Sequence, residues 1–363
     1  MLYKLRDIFD LQMGKTPSRD NNMYWKDGNL PWVSISDLSK SQIYIENSKE
    51  LITKFAVKDT LVKCIPKDTV IMSFKLSLGK TAITRKPLYT NEAIMAFIDK
   101  KVIQIEPKYI YFLFSYIQWG QFTNNAVKGK TLNKKFFSDF QINIPKYTQQ
   151  TKVSSILIRI NKILEYKRSL IEIYDALIKS RFDELFLNTH SIETMEIGEL
   201  FEVGSSKRIL QSELTTYGIP FYRVTDLINR INDRPVDIKQ YVDELKYMTL
   251  IKEKYVPQAG DFLITARGTI GKIYEVKQND KFYFQDGMIT WLKRKNNYIN
   301  NLFFMELVKT DWFRRQFYSS NNGTTISYLS ITDTRHLKVL LPALNLQLQF
   351  AQEVYQINKL KFD

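Results

Sequence analysis

The sequence predicts an α+β protein made by internal duplication, in which two similar mixed α/β units are joined by long, coiled-coil-like helices. Three observations predict it. Matched segments recur in the same order at offsets that drift from 189 to 197 residues, each unit mixes strand and helix patterns, and one stretch without Gly or Pro divides the units. With 363 residues the chain has room for two ordinary domains.

Taken in order, "LRDIFDL" at 5–11 matches "IGELFEV" at 197–203, and "LPWVSISDL" at 30–38 matches "IPFYRVTDL" at 219–227. "PKDTVIMSFKLSLGK" at 66–80 matches "PQAGDFLITARGTIGK" at 257–272. "GKTLNKKFFSDFQINIP" at 129–145 matches "GTTISYLSITDTRHLKVLLP" at 323–342, and "RINKI" at 159–163 matches "QINKL" at 356–360. Within each unit, 69–83 and 261–276 read as strand, Gly-containing turn and strand. Segments 109–122 and 302–318 carry apolar and aromatic residues around helical spacing, a pattern that reads as core more than as base-stacking platforms.

Between the units, no Gly or Pro occurs from Lys146 to Ile197. Val153, Leu157, Ile160, Leu164, Ile171, Tyr174, Ile178 and Leu185 recur at three- and four-residue steps or their multiples, with Lys167 and Arg181 filling gaps. That is a heptad-like seam on one helix over 148–187, roughly 60 Å long at ~1.5 Å per residue. A single helix of this kind needs a partner for its seam. Ile160, Leu164, Ile171 and Ile178 are therefore expected to pack on the second helix or on another chain. The second helix, within 345–363, is about half as long as the first, because the sequence stops soon after the "INKL" match. The boundaries expected are 1–147 for the first unit, 148–190 for the spacer helix, 191–343 for the second unit and 344–363 for the short C-terminal helix.

Three Gly-Lys-Thr tripeptides invite a nucleotide reading, at Gly14-Lys15-Thr16, Gly79-Lys80-Thr81 and Gly129-Lys130-Thr131. A phosphate loop also needs a Gly five positions before the tripeptide, and Phe9, Phe74 and Asn124 stand there. None is a nucleotide loop. A Gly in a turn has a sufficient reason in backbone conformation, and a Lys beside it on a tight loop is placed to meet a DNA phosphate. The plain alternative is a solvated turn lysine.

The net charge of +15 favours the polyanion reading. Residues 1–145 hold 22 Lys and Arg against 13 Asp and Glu, so the excess is concentrated there. Catalytic chemistry is thinly represented. The two histidines, His190 and His336, stand apart, and with one cysteine, Cys64, they make a zinc site implausible. No Pro-Pro occurs for an amino-methyltransferase signature, and no G-x-G-x-x-G for a dinucleotide. Asp99-Lys100-Lys101 imitates a nuclease site only in the way surface clusters do. A single cysteine, no apolar run of membrane length and no signal-peptide layout lead us to expect a cytoplasmic protein.

With these segments in view, the chain resembles the specificity subunits of type I restriction–modification systems. The resemblance covers essentially the whole chain and is carried by "GKTPSRDNNMYWKDGNLPWVSISDL" at 14–38, "PQAGDFLITARGTIGKI" at 257–273 and "ILEYKRSLIEIYDALIKSRFDELF" at 163–186. It implies a non-catalytic subunit whose two target-recognition domains each read one half of a bipartite site in double-stranded DNA. It also implies that the helices pair antiparallel, set the spacing and dock two modification (methyltransferase) subunits, which restriction (motor and nuclease) subunits then join. Adenine N6 methylation by the partners implies base flipping. No cofactor is implied for this chain: S-adenosylmethionine, ATP and Mg belong to the partner subunits. The family pattern has a second helix as long as the first, so the short one here puts the complete pair in question and leaves self-association through the helices as an option.

For DNA contact, the polar and basic residues of the Gly-containing loops are the candidates. In the first unit they are Lys15, Thr16, Ser18, Arg19, Lys75, Lys80, Lys128, Lys130 and Lys134. In the second they are Lys207, Arg208, Arg223, Arg267, Lys272, Thr324 and Thr325. Arg suits bidentate reading of guanine and Lys suits phosphate, so Arg208, Arg223 or Arg267 is expected to reach a base edge. Two other classes stay open: a DNA- or RNA-binding adaptor or scaffold without sequence specificity, and a nuclease- or methyltransferase-like enzyme.

Overall fold

Val70–Ser73 is buried at all four positions because its alternate side chains enter two different cores. Val70 and Met72 join Leu5, Phe97, Phe114 and Phe137 on one side, while Ile71 joins Val33, Leu38 and Ala96 on the other. The computed structural model describes residues 1–122, 132–188, 192–317 and 328–362, in two compact units, Met1–Tyr166 and Lys167–Asp363.

In the first unit a five-stranded sheet runs in the order Phe9–Met13, Ile94–Asp99, Val70–Ser73, Thr81–Thr84, Tyr44–Ile45. All its pairs are antiparallel except the last. A three-stranded sheet of Glu50–Ile52, Leu30–Val33 and Tyr89–Thr90 stands beside it. Leu2–Lys4 pairs antiparallel with Gln141–Asn143, so the chain leaves the unit where it came in.

The second unit repeats this plan. Its main sheet has the order Phe201–Gly204, Ile289–Arg294, Phe262–Thr265, Ile273–Glu275, and Thr194–Glu196 pairs with Lys338–Leu340. Phe262 and Ile264 face one core and Leu263 the other, the same division as in the first unit. The duplication read from sequence is thus a duplication of architecture.

Two expected helices are interrupted. The 109–122 segment forms Pro107–Tyr116 and a 3-10 turn at Trp119–Phe122, with the chain extended at Ile117. The 302–318 segment forms Asn301–Lys309, Asp311–Arg314 and a turn at Arg315–Phe317. The break lies at Thr310, whose hydroxyl donates to the Leu307 carbonyl at 2.6 Å and accepts from the Phe313 N–H at 3.2 Å. A side chain able to close one turn and cap the next competes with continued helix.

The spacer helix spans Tyr147–Phe182 and ends in a π-helical turn at Asp183–Leu187. The C-terminal helix spans Leu344–Phe362. Each is fixed at its start by a buried glutamine. Gln150 accepts from the Glu106 N–H at 2.9 Å and donates to the carbonyls of Gln104 at 3.0 Å and Pro145 at 2.9 Å. Gln347 accepts from the Asn300 N–H at 2.8 Å and donates to the carbonyls of Tyr298 at 3.0 Å and Pro342 at 2.8 Å. Three main-chain groups per unit are thereby satisfied by one side chain, which makes burial of the amide tolerable.

Of the four seam residues, Ile178 is buried in the second unit's main core with Phe182, Phe186, Phe350 and Val354. Ile160, Leu164 and Ile171 are 41–48% exposed. Arg181, read as a gap in the seam, pairs instead with Glu353 of the C-terminal helix at 2.9 Å and with Glu184 at 3.0 Å. Lys361 closes on Asp175 at 2.6 Å.

Candidate nucleic-acid interface

The turn after Ser73 is built by its own side chain. The Ser73 hydroxyl accepts the Lys80 N–H at 3.0 Å and donates to the Ser77 carbonyl, while the Gly79 N–H donates to the Ser73 carbonyl at 2.9 Å. In the second unit Thr265 takes the same role, accepting the Lys272 N–H at 3.0 Å and donating to the Thr269 carbonyl. Gly79 and Gly271 have φ of +80° and +78°, and a Cβ there would lie 2.7 Å from Trp119 Cδ1 and 2.3 Å from Phe317 Cε2. Glycine is required twice over, by conformation and by contact.

Around each hairpin the same loops gather. The Phe74 N–H donates to Ala93 at 2.9 Å, the Leu132 N–H donates to Phe74 at 3.0 Å, and the Asn91 N–H donates to Val33 at 3.1 Å. Thr16 hydrogen-bonds Glu92. In the second unit Ala266 donates to Met288 at 2.9 Å, Leu329 to Ala266 at 2.9 Å and Gln285 to Tyr222 at 3.0 Å. Ser205 and Ser206 donate to Ile289 at 3.2 Å and Phe284 at 2.7 Å. The loops carrying Lys15 to Arg19 and Lys75 to Lys80, and the start of helix Lys134–Asp139 with Lys134, are thus drawn together in one unit. Those carrying Lys207, Arg208, Arg223, Arg267 and Lys272 are drawn together in the other.

Sequence reasoning passed over the loop at the centre of each cluster, "NEA" at 91–93 and "QDG" at 285–287. They contain no Lys or Arg, and the search followed basic residues. The aligned stretches "YTNEAIMAF" and "YFQDGMITW" would have found them: an amide, then an acid, then a small residue, at an offset of 194. Tyr328 was also passed over. It pairs with Arg267 in an isolated antiparallel bridge, and the Arg267 guanidinium lies 4.3 Å from the centre of its ring.

The candidates differ in how they are held. Lys15 Nζ donates to the Thr60 carbonyl at 2.7 Å, at the C-terminus of helix Lys54–Thr60. Lys207, its counterpart, pairs with Glu253 at 2.7 Å, which holds the ammonium above its ordinary pKa. Arg19 lies 3.9 Å above the Trp25 ring and forms a two-pronged pair with Glu50, its second bond 3.0 Å long. That pair raises the Arg19 pKa and lowers the Glu50 carboxyl below its ordinary value. The Trp25 indole N–H donates to the Ser18 carbonyl at 2.9 Å, fixing the loop that carries both residues. Arg223 hydrogen-bonds Gln240. Lys75 lies 5.4 Å from the Phe74 ring.

Among the described residues, Lys80, Lys134, Arg208 and Lys272 have no side-chain partner, and all but the half-buried Lys272 are exposed. Unpaired cations on loops, or in the first turn of a helix as Lys134 is in Lys134–Asp139, can meet an anion without first breaking a bond. Lys128, Lys130, Thr324 and Thr325 lie outside the described residues, as does His190. His336 Nδ1 is 2.9 Å from Glu196, which Lys338 also holds at 2.9 Å. Asp99 pairs with Lys101 at 3.0 Å, and Lys100 with Asp10 at 3.5 Å. No group of His, Cys, Asp or Glu among the described residues is arranged to hold a metal.

Known proteins share this plan. Residues 1–173 and 190–360 each match the family model for the type I restriction modification DNA specificity domain. The chain is 25% identical to the type I restriction enzyme MjaIX specificity subunit of Methanocaldococcus jannaschii, over 93% of this chain and 82% of that protein. It is 28% identical to the EcoR124I/EcoR124II specificity subunit of Escherichia coli, over 40% of this chain and 36% of that one. Among solved structures, the S subunit of a type I restriction-modification system from M. genitalium is similar with a TM-score of 0.55 and 16% identity, covering 99% of this chain and 90% of that one. A chain from a study of type I R-M complex assembly and conformational transition is similar with a TM-score of 0.60 and 13% identity, with the same coverage.

Proposed function

Since the chain belongs to the type I restriction–modification DNA specificity family, we propose that its two loop clusters read the two halves of one bipartite target. The chain is the DNA-reading specificity subunit of such a system and not its catalytic subunit. The observation that carries the two-half reading is a constant scaffold with exchanged tips. Matched positions hold Lys75 and Arg267 on hairpins with the same hydrogen bonds, and Thr16 and Arg208, Asn91 and Gln285 on the loops beside them. A conserved geometry with different donors and acceptors presents different base-edge codes.

The roles divide by chemistry. Lys80, Lys134 and Lys272, with Lys15 and Lys207 behind them, supply charge to phosphates and hold the register. Arg208, Arg223 and Arg267, with Asn91 and Gln285 between the loops, supply the bidentate groups that distinguish guanine and adenine. Thr16, Ser18 and Arg19 form the corresponding tip in the first unit, and Lys75 belongs with them. Residues 128, 130, 324 and 325 complete the set as sequence expectations.

The helices are the docking elements for two modification subunits, which restriction subunits join. S-adenosylmethionine, ATP and Mg are assigned to those partners and adenine N6 is the atom modified. No described helix is long and apolar enough to cross a membrane. The cytoplasm as the place of work follows from the DNA that the chain is proposed to read.

Genome-wide mapping of N6-methyladenine tests this, in a host expressing the chain with its modification subunit and in one lacking the chain alone. A split motif present only with the chain is expected. A continuous symmetric motif would overturn the reading of two distinct halves, and methylation independent of the chain would overturn the role itself.

A further inference from the structure

A space that an arginine fills in the second unit stands open in the first. Phe9 pairs with Asp99 across the sheet as Phe201 pairs with Arg294, so Asp99 and Arg294 are counterparts. The Arg294 guanidinium lies 5.8 Å from the centre of the Phe201 ring. It donates to the carbonyls of Asn296 at 3.1 Å and Ile299 at 2.9 Å, and to the Asn301 side chain. Asn301 in turn donates to Glu275 at 2.6 Å.

The first unit keeps the aromatic floor and changes what lay over it. Sheet register puts Ile83 where Glu275 stands. The helix starts, fixed by Gln150 on Glu106 and by Gln347 on Asn300, put Ile105 at Ile299 and Pro107 at Asn301. Phe9, Ile83, Asp99, Ile105 and Pro107 all line one cavity of about 590 Å³. That is the size of a small-molecule site, about 300–1,000 Å³. A guanidinium has been replaced by a carboxylate, and two hydrogen-bonding side chains by apolar ones.

The charge inside the cavity is negative. The side chains of Asp99 and Glu106, which also line it, are only 20% and 16% exposed. The lysines on its wall, Lys67, Lys101 and Lys108, are 39–84% exposed and stand toward solvent. Glu106 does not cap its helix, as Asn300 caps the other with bonds from Leu302 and Phe303. Its carboxylate has only the Tyr147 hydroxyl at 3.4 Å and Lys108 at 3.9 Å. A shielded carboxylate so loosely paired gains from a closer cation.

We propose that this cavity binds an aliphatic guanidinium, with the planar cation over Phe9 and its N–H groups on the carboxylates of Asp99 and Glu106. A planar, weakly hydrated cation suits an aromatic face and a carboxylate better than an ammonium does. Lys101 pairs with Asp99 at 3.0 Å, but a pair whose lysine is that exposed yields at little cost. A free compound and an arginine side chain of another protein both supply the group, and the test separates them. The inference is independent of the DNA that the chain reads.

The full chain is titrated with n-propylguanidinium (the arginine side chain alone), with n-butylammonium and with a capped glycine-serine peptide carrying one arginine. Saturation-transfer NMR and the melting temperature are the readouts. Saturable binding of n-propylguanidinium is expected, at least tenfold tighter than that of n-butylammonium. Asp99→Asn should weaken it at least tenfold. Asp99→Arg, which supplies the group from within as Arg294 does, should abolish binding and raise the melting temperature. Glu106→Gln leaves the main-chain bond to Gln150 in place and should also weaken binding, so the site stays testable if Asp99→Asn lowers stability. Tighter binding of the peptide assigns the group to a partner protein, and tighter binding of the free compound assigns it to a small molecule. No saturable binding, equal binding of the ammonium, or binding indifferent to the Asp99 and Glu106 variants would overturn the proposal. So would inorganic phosphate that binds and excludes the guanidinium, since the lysines would then govern the cavity.

Discussion

The Ser73 hydroxyl holds the backbone N–H of Lys80 at 3.0 Å, across the turn that presents the lysine. The charged side chain is exposed while its main chain is tied to a residue buried in the sheet. Rigidity of this kind lets a loop contact DNA without a large ordering cost. Gly79→Ala should therefore destabilise the first unit by about 1–3 kcal/mol, and Gly271→Ala the second by a similar amount, through positive φ and the Trp119 and Phe317 contacts. Hydrogen exchange of each hairpin checks it, with the altered unit losing protection and the other retaining it.

Gln150→Leu should cost about 2–3 kcal/mol, because the Glu106 N–H and the Gln104 and Pro145 carbonyls lose their partner inside the protein. Gln347→Leu should do the same to the second unit. Urea unfolding followed by exchange protection at Glu106 and Asn300 separates the two effects.

Replacement of Gln285 or Arg208 by Ala should relax one position of one half-site, at about 1–3 kcal/mol of discrimination. Lys80→Ala should weaken all DNA sequences alike and reduce the salt slope by about 0.9. Methylation motifs for the first pair and salt-dependent DNA titration for the lysine are the measurements.

Arg19 holds the Glu50 carboxyl below its ordinary value of 4.5. A carboxyl lowered in the folded state stabilises fully above its unfolded pKa and loses that contribution as pH falls through the folded one. The melting temperature of the wild type should therefore fall more steeply below pH about 4.5 than that of Glu50→Gln. The pair is well exposed, so the difference should be small, a degree or two by order of magnitude. Equal slopes would show that the pair contributes nothing.

Thr90 Oγ1 is the one buried side-chain polar atom among the described residues that lacks a hydrogen-bond partner. It faces Gly14, where a Cβ would come within 2.3 Å of it. Thr90→Val keeps the shape and removes the orphan, so it should leave stability unchanged or raise it by about 1 kcal/mol. A drop in melting temperature would contradict this.

The duplication, the strand–turn–strand hairpins and the long helix were legible because each rests on a local signal: matched segments, alternation, or a run free of Gly and Pro. The breaks at Ile117 and Thr310 were not, since the Thr310 cap competes with helix only through its particular contacts. Arg181 looked like a flaw in an apolar seam until Glu353, far along the chain, supplied its partner. In the candidate interface, the basic loops were legible from their Gly and Lys. Asn91 and Gln285 were not sought, because an amide followed by an acid and a small residue resembles any surface turn. What selects them is adjacency to Val33 and Tyr222, which belongs to the fold rather than to their own neighbourhood.

Each unit is closed by a short ladder between its first and last strands, Tyr3 opposite Ile142 in one and Met195 opposite Val339 in the other. A module whose ends meet can be lifted out and replaced as a single cassette, because the seam crosses a main-chain ladder that reads no side-chain identity. Recombination within the strands at 2–4 and 141–143 would exchange one reading head and leave the anchoring glutamine in place. A lineage carrying such genes can change what it marks in one event, by trading half a vocabulary and keeping the grammar.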